Sequence, residues 1–323
     1  MVILLKKFFI NYTPYPAFLK VSRYDIINQK SLGDCLKAVI ISKNDAGQRL
    51  DKFLIKTFPS LPPSMIYRFI RTRHIKINKK RTDASYKLSE DDLLELYIID
   101  EFLTPPKGRL DFLKASGKIE PIYEDENIII INKPAGLLSH PDEKEYLDTL
   151  LTRILRYLYE KGDYNPEEEN SFTPALVNRL DRNTSGLVIA AKNAFSLREL
   201  NEKMRDGEIK RFYLCLVEGK MQKPHGGLEG SLIKDEKSNR VYIDERAGKP
   251  IKTNYKVLEF KNGTSLLEVE LITGRSHQIR AHLAHLGNPI VGDKKYGYKQ
   301  KSGGEIKSND LALCSYKLIF NFS

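Results

Sequence analysis

A short polar stretch, NRLDRNTSG at residues 178–186, decides the fold, because it lies between two apolar runs. The runs, residues 174–177 and 187–191, have the length and the apolar content of buried β-strands. The pattern therefore predicts a loop held by strands at both ends, with Asp181 between two arginines. A carboxylate flanked by cations stays ionised, which suits a nucleophile better than a general acid. The alternative is a structural turn or salt bridge, the usual role of a single Asp in a loop.

Outward from this loop, strand and helix patterns alternate along the chain. Short apolar or alternating runs predict strands at residues 127–131, 187–190, 213–217 and 265–271, and helical spacing predicts helices at 150–159 and 194–204. Many strands with a few helices are typical of an α+β domain, which we place at residues 119–323. We expect a mixed, mainly antiparallel β-sheet with flanking helices.

A second polar stretch, TGRSHQIR at residues 273–280, follows the last of these strands. Three histidines in and after it, His277, His282 and His285, are close enough together to raise the question of a metal site. We expect no metal, because neither a cysteine nor an HExxH pattern accompanies them and two arginines in the segment would repel a cation. The GxGxxG and Walker patterns of nucleotide sites are also missing from the sequence, so we expect no cofactor.

A smaller α+β unit precedes this domain, at residues 41–100. Helical spacing predicts a helix at residues 50–58 and a second one after Ser64, a good N-cap, and strands follow at 75–77 and 93–99. We expect a small domain that presents one face of its second helix and of a hairpin to solvent.

That face is strongly basic. Residues 64–86 contain seven basic side chains against one acidic side chain, Asp83. The basic residues are Arg68, Arg71, Arg73, Lys76, Lys79, Lys80 and Arg81. A merely solvated helix face is the plain alternative, but charge that continues from a helix into a hairpin favours a surface that follows a phosphate backbone. We therefore predict RNA or DNA contact here.

The composition of the whole chain agrees with a polyanionic partner. The 323 residues include 53 Lys and Arg against 42 Asp and Glu, a formal net charge of +11. No apolar run approaches 18 uncharged residues, and three scattered cysteines without CxxC spacing indicate a reduced, cytoplasmic protein. We assign no role to an N-terminal extension at residues 1–40, and we expect residues 101–118 to be an interdomain linker.

Several of these segments resemble known families. In the small unit, residues 48–54 and 64–77 and the hairpin that ends in LLEL at 93–96 resemble the RNA-binding domain first described in ribosomal small-subunit protein S-four. In the large domain, RLDRNTSG at 179–186, a basic-x-Tyr strand at 211–213 and TGRSHQIR at 273–280 occur in the order found in RluA-type pseudouridine synthases, and KPAGL at 133–137 is similar to their opening motif. The chain therefore resembles a synthase of the type that acts on large-subunit ribosomal RNA.

The resemblance implies that the protein isomerises uridine to pseudouridine in RNA after the target base flips out of its helix. It implies Asp181 as the essential carboxylate, Arg275 as its ion-pair partner, and Tyr213 as the residue that stacks on the base and takes the departing proton. Attack by Asp181 on the anomeric carbon, attack on the uracil ring, and assisted glycal formation stay open. The resemblance also implies RNA or substrate contacts. Arg179 fills the gap left by the flipped base, and Leu271 or Ile272 forms a wall of the uracil pocket. The other implied contacts are Arg182 and Thr184 in the large domain and Arg68, Arg71, Arg73, Lys79, Lys80 and Arg81 on the small domain.

Two positions depart from the family pattern, and two other functions compete with this one. Asn178 stands where the family usually has His, and Asn78-Lys79 replaces a common Asn-Gly. A non-catalytic RNA-binding or ribosome-assembly factor could keep the same fold, but it would not need the intact catalytic residues. Glycoside or nucleoside hydrolysis needs a second carboxylate, and none lies near Asp181 in the sequence. We expect a monomer whose partner is 23S-type ribosomal RNA, without membrane association or a small-molecule cofactor.

Overall fold

The computed structural model describes residues 2–4, 36–104, 108–235, 240–244, 247–297 and 310–322. Most of the predicted N-terminal extension lies outside these residues. The strands are Val2–Leu4 (β1), Leu36–Ile40 (β2), Ile75–Ile77 (β3), Lys80–Arg81 (β4), Leu93–Tyr97 (β5), Pro121–Glu124 (β6), Ile128–Lys133 (β7), Ala175–Leu176 (β8), Ser185–Ala191 (β9), Lys210–Glu218 (β10), His225–Asp235 (β11), Arg240–Asp244 (β12), Lys249–Lys261 (β13), Thr264–Leu271 (β14) and Leu313–Ile319 (β15). The α-helices are Leu50–Thr57 (α1), Pro63–Arg71 (α2), Leu150–Lys161 (α3), Ala194–Arg205 (α4) and Gln278–His285 (α5).

The small domain packs α1 and α2 against a four-stranded sheet in the order β2-β5-β3-β4. Its core is built from the apolar positions of the helices, such as Phe53 and Ile66, and of the central strand β5. Helix α2 begins at Pro63 rather than after Ser64, because proline fixes a helical φ and lacks the N–H that would be left unpaired in the first turn. Strand β2 pairs with β5 along its whole length, so the small domain includes residues before the predicted start at 41.

The large domain is built on one sheet in the order β12-β11-β13-β14-β10-β15-β9-β7-β6, with β1 beside β15 and β8 beside β9 among the described residues. Neighbouring strands are antiparallel, except for β9 and β15, which run parallel. Helix α3 packs its apolar residues on one face of the sheet and α4 contributes Leu200 to the core on the other. The α+β class with a mainly antiparallel sheet, which the sequence predicted, is confirmed.

The polar stretch at 178–186 is the connection between β8 and β9, as the flanking apolar runs predicted. Gly186 is required at its end, because a Cβ there would lie 2.1 Å from the backbone oxygen of Ser315 and its φ is +113°. This close approach brings β15 directly beside the end of the loop. Asn178 joins the two ends of the loop: its Oδ1 accepts from the backbone N of Ile189 at 2.8 Å, and its Nδ2 donates to Leu187 O at 3.3 Å.

The two domains have separate apolar cores. The segment predicted as a linker divides between them: Leu103, in the short 3-10 helix Asp100–Leu103, belongs to the core of the small domain, and Phe112, in the 3-10 helix Asp111–Lys114, belongs to that of the large domain. Among the described residues, neither core contains a side chain from the other domain. The domains therefore fold around independent hydrophobic centres.

Candidate active site

A cavity of about 760 Å³ opens where the loop at 178–186, strand β10 and the start of α5 meet. Of the residues predicted from the sequence, the lining includes Arg179, Asp181, Arg182, Thr184, Tyr213, Leu271 and Arg275. Three segments that are far apart in the sequence thus come together around one space. The six predicted basic residues of the small domain do not line it.

Asp181 is held by an arginine that the sequence analysis did not select. Arg280 Nη1 donates to Asp181 Oδ2 at 3.0 Å, while its Nε and Nη2 donate to the two carboxylate oxygens of Asp293 at 2.7 and 2.8 Å. Asp293 is only 2% exposed. Burial alone would lower the pKa of Arg280, but the paired carboxylates raise it above its ordinary value. The guanidinium is therefore a permanent cation that two carboxylates hold in one orientation.

The predicted ion pair between Asp181 and Arg275 is corrected by this geometry. Arg275 lies on the loop before α5, and its side chain is exposed on the cavity wall. Arg280 lies on the first turns of α5, among buried apolar neighbours such as Ile279 and Ala281. Only the tertiary packing of the helix turns the second arginine toward the carboxylate. A charged residue at a buried helical position was the signal in the sequence that could have identified it.

Asp293 is a second carboxylate close to Asp181. It lies on the far side of Arg280 from Asp181, and both of its oxygens accept hydrogen bonds from that guanidinium. A buried carboxylate that is fully engaged in this way is not available as a general acid or base. The pair of free carboxylates required for glycoside hydrolysis is therefore not formed by these residues.

The loop that carries Arg275 is fixed by Gln278, which is 2% exposed. Its Oε1 accepts from Thr273 Oγ1 at 2.9 Å and from the backbone N of Arg275 at 3.1 Å, and its Nε2 donates to Thr253 Oγ1 at 2.9 Å. His277, at the start of α5, adopts a left-handed φ of 53°. The second polar stretch is thus a tightly bonded turn that shapes one wall of the cavity.

His277 adds a second nitrogen near the carboxylate. Its Nε2 lies 3.8 Å from Asp181 Oδ2, and its Nδ1 is 2.9 Å from the hydroxyl oxygen of Tyr296. Burial lowers the pKa of His277, because it disfavours the charged ring more than the nearby Asp181 favours it. A neutral imidazole leaves Arg280 as the cation that balances Asp181.

Tyr213 lies on β10 and is 5% exposed, at the wall of the cavity. Burial raises the pKa of its phenol, while neighbouring Arg211 acts in the opposite direction. The ring is therefore neutral at physiological pH, as a stacking surface for a base should be. Arg211, which also lines the cavity, donates from Nη2 to the backbone oxygen of Leu271 at 3.3 Å and so joins β10 to the end of β14.

A buried lysine stabilises the loop at 178–186. Lys133, in the KPAGL stretch, is 0% exposed, and its Nζ donates to Pro134 O, Leu137 O and Arg182 O at 2.9, 2.7 and 3.0 Å. Burial lowers its pKa to about 8, against the attraction of Asp181. Because one ammonium bonds carbonyls of two separate segments, it fixes the loop beside Asp181. The sequence analysis named the stretch but not this role.

The structure distinguishes between the two residues proposed for the wall of the uracil pocket. Leu271 is 9% exposed and lines the cavity, whereas Ile272 is 42% exposed and does not. Leu271 is the last residue of β14, and Ile272 follows it outside the strand. Thr184, 3% exposed, also lines the cavity, and its hydroxyl is buried without a hydrogen-bond partner among the described residues.

The basic residues of the small domain form an exposed surface, which we call the basic face. It consists of Arg68 and Arg71 on α2, Arg73 after it, and Lys79, Lys80 and Arg81 in the hairpin, and all six are exposed. Asn78 and Lys79 have positive φ values of 52° and 65°, as a tight hairpin turn requires. Here Asn-Lys adopts the turn in which Asn-Gly is common, and the backbone N of Lys79 is bonded to Glu95 Oε2 at 2.8 Å.

In the part of the chain that the structure describes, no group of three or more His, Cys, Asp or Glu side chains could hold a metal ion. His282, one of the three histidines considered for a metal, instead places its Nδ1 2.9 Å from Thr253 Oγ1, and burial lowers its pKa to about 4. Within the same residues, no helix has both the length and the apolar character needed to cross a bilayer.

Comparisons with known proteins identify relatives of both domains. A family model described as RNA pseudouridylate synthase matches residues 127–285, and one described as S4 domain matches residues 48–94. Ribosomal large subunit pseudouridine synthase C of Haemophilus influenzae is 32% identical over 300 residues, which cover 91% of this chain and 89% of that protein. The protein of the same name from Buchnera aphidicola is 36% identical over 279 residues, 85% of this chain and 84% of that protein.

A solved structure supports the fold. Human RNA Pseudouridylate Synthase Domain Containing 4 has a TM-score of 0.50 at 22% identity, covering 61% of this chain and 82% of that one. The predicted resemblance is thus confirmed by matches that span both domains. The chain belongs to the family of RluA-type RNA pseudouridine synthases that carry an N-terminal S4 domain.

Proposed function

We propose that this protein converts specific uridines of large-subunit ribosomal RNA, of the 23S type, to pseudouridine. The observation that carries the proposal is the Asp181 carboxylate on the wall of the cavity. Arg280 donates a hydrogen bond to this carboxylate and is itself oriented by Asp293. The relatives named as synthases of the large ribosomal subunit supply the choice of RNA. We also propose that the protein is a monomer and acts in the cytoplasm.

The reaction is an isomerisation whose atoms balance without another reactant. The bond from the ribose C1′ to N1 of uracil breaks, the ring turns, C5 bonds to C1′, and the proton on C5 leaves while N1 gains one. Each of the three routes open to Asp181 needs an ionised carboxylate at the sugar or the ring. The hydrogen bond from Arg280 fixes the orientation of the Asp181 carboxylate for that role.

The target uridine has to leave its helix to reach Asp181, at a cost of a few kcal/mol when it is paired. We propose that exposed Arg179 occupies the gap, that Tyr213 stacks on the base, and that Leu271 forms the wall of its pocket. A neutral phenol stacks well but accepts a proton weakly, so stacking is the better supported role of Tyr213. We propose that Arg275 and Arg182, both exposed on the cavity wall, contact the RNA backbone.

The small domain supplies affinity in this proposal. We take residues 41–100, extended at the front by β2, as the RNA-binding domain and residues 119–323 as the catalytic domain. The basic face contacts phosphates and contributes no chemistry, because none of its residues lines the cavity. A non-catalytic assembly factor on this fold would not need a carboxylate held by a buried, doubly paired arginine.

The test uses an in vitro transcript of the large-subunit RNA and the wild-type protein, with Asp181→Asn as the control. We expect pseudouridine at a small set of positions, detected by chemical mapping, and none with the variant. Recovery of free uracil instead of pseudouridine would identify a hydrolase. Binding of the transcript without either product would identify the non-catalytic factor.

A further inference from the structure

The two domains meet through a set of polar side chains, which we call the latch. It joins residues 42–48 of the small domain to residues 169–171 of the catalytic domain. At its centre lies Asp45, which is 0% exposed. The Asp45 carboxylate accepts from Ser171 Oγ at 2.6 Å and Asn170 Nδ2 at 2.8 Å across the domain boundary, and from Ser42 Oγ at 2.8 Å within its own domain.

Further hydrogen bonds extend the latch on both sides of Asp45. Asn44 Nδ2 donates to Glu169 Oε1 at 2.7 Å, and Asn44 Oδ1 accepts from the backbone N of Ala194, at the start of α4, at 3.1 Å. Further bonds across the boundary run from Gln48 Nε2 to Ser171 Oγ at 2.8 Å and from Arg198 Nη1 to Ala46 O at 3.0 Å. The backbone N of Ser171 also donates to Asp45 Oδ1 at 3.2 Å, and Asn170 Nδ2 donates to Ile40 O at 3.3 Å. The contacts therefore involve two separate segments of the catalytic domain.

This kind of joint fixes an orientation. The apolar cores of the two domains share no described side chain, so no common apolar core joins the domains. Hydrogen bonds have preferred distances and angles, and a buried carboxylate that loses its partners is costly. Several such bonds on two segments permit one arrangement of the domains, whereas an apolar contact would tolerate sliding.

We propose that the latch is a positioning device for RNA: it holds the basic face at a fixed place relative to the Asp181 cavity. Asp45 is its positioning residue and touches neither substrate nor reacting atoms. An RNA then binds productively only if its backbone reaches the basic face while its target uridine reaches the cavity. The proposal rests on the proposed function and adds a geometric source of substrate selection to it. Prearranged binding surfaces cost less entropy on association than loosely tethered ones.

The first experiment measures the shape of the free protein by small-angle X-ray scattering. The latch variant is Asn170→Ala/Ser171→Ala, which removes both side-chain partners of Asp45 on the catalytic side and leaves the backbone N of residue 171. The matched control is Ser42→Ala, which removes a hydroxyl from the same carboxylate without crossing the boundary. We expect a larger maximum dimension for the latch variant and an unchanged one for the control. Asn44→Ala, which breaks a different part of the latch, should increase the maximum dimension in the same way. Agreement between the two variants would show that the change does not come from misfolding of either one.

The second experiment compares kcat/KM for two substrates, a long ribosomal RNA fragment and a short stem-loop that carries only the target uridine. We expect the latch variant to lose roughly ten-fold in kcat/KM on the long RNA through KM, with kcat unchanged. On the stem-loop, kcat/KM of the latch variant should stay within about two-fold of the wild-type value. The Ser42→Ala control should stay within the same range on both substrates. A merely structural defect would lower both substrates together.

The last arm is a double-mutant cycle with the basic-face variant Arg68→Ala/Arg71→Ala/Lys80→Ala. If the latch acts by placing the basic face, adding the latch substitutions to the basic-face variant should cause no further loss of kcat/KM on the long RNA. Additive losses would overturn the proposal, as would an unchanged shape or an unchanged kcat/KM on long RNA in the latch variant. Absence of pseudouridine with the wild-type protein would overturn the proposed function instead, and the scattering result does not depend on it.

Discussion

The catalytic cavity and the basic face both concentrate charge, but they hold it in opposite ways. In the cavity, Asp181 and Arg280 are partly or fully withdrawn from solvent and each is bonded to a defined partner. On the basic face, six cations are exposed. Exposed charges act at long range, are screened by salt and tolerate small displacements, whereas buried paired charges act at contact distance and depend on their geometry. Exact geometry is therefore needed in the cavity, whereas the basic face supplies affinity.

The largest effect is expected from removing the charge at the centre of the cavity. Asp181→Asn keeps the size of the side chain but not the carboxylate, so turnover should fall by at least about 10³-fold while RNA affinity stays within a few-fold. Release of tritium from RNA labelled at C5 of uridine measures turnover, and filter binding measures affinity. Clear residual turnover would show that another group starts the reaction.

The next prediction compares the two arginines of the second polar stretch. Arg280→Lys loses the planar fork that bridges Asp181 and Asp293, so kcat should fall by roughly 10²-fold because the carboxylate is misplaced. Arg275→Lys keeps an exposed cation and should change kcat by less than about ten-fold. The same tritium assay at saturating RNA serves both. A larger loss for Arg275→Lys would return the pairing role to that residue in the RNA complex.

A smaller effect, and one without any change in chemistry, is expected on the basic face. Arg68→Ala/Arg71→Ala/Lys80→Ala removes up to three phosphate contacts, which should reduce the log–log salt dependence of RNA binding by roughly 2 to 3. The single-turnover rate at saturating RNA should barely move, because Asp181 is untouched. Binding titrations at several salt concentrations test this. An unchanged salt slope would mean that the face is only solvated.

The smallest effect is expected on stability, at Glu169 on the boundary between the two domains. Burial raises the pKa of Glu169 to about 7, and the negative charge of nearby Asp45 acts in the same direction. The hydrogen bond from Asn44 and the positive charge of Arg109 lower this pKa, but by less. A carboxyl whose folded pKa is raised favours the folded state below its ordinary pKa near 4.5, and that stabilisation is lost as pH rises to about 7.

Glu169→Gln should therefore unfold with a free energy higher than wild type by roughly 1–3 kcal/mol at pH 8, and the difference should shrink toward pH 4.5. The amide oxygen of Gln keeps the acceptor for Asn44. Urea denaturation at both pH values measures this, with exposed Glu167→Gln as the control. An equal gain in the control would assign the effect to net charge rather than to burial.

The sequence predicted most of the elements because their signals are local. The helices at 150–161 and 194–205 and the strands around the catalytic loop follow from periodicity in single segments. Strand β2 was missed because five residues next to an unassigned extension carry too little pattern, and its pairing with β5 is a contact over more than fifty positions. The start of α2 lies two residues before the predicted one, because Pro62 rather than Ser64 is the N-cap and proline is favoured at the first helical position.

From the sequence alone came the family, the choice of Asp181 as the proposed catalytic carboxylate and the basic character of residues 64–86, because each follows from residue types in a contiguous stretch. Only the tertiary structure decided which arginine meets Asp181, that Asp293 and Lys133 support it, and that Asp45 joins the domains. The physical reason is that ion pairs and buried hydrogen bonds act over about 3 Å, and packing alone sets such distances between segments remote in the chain.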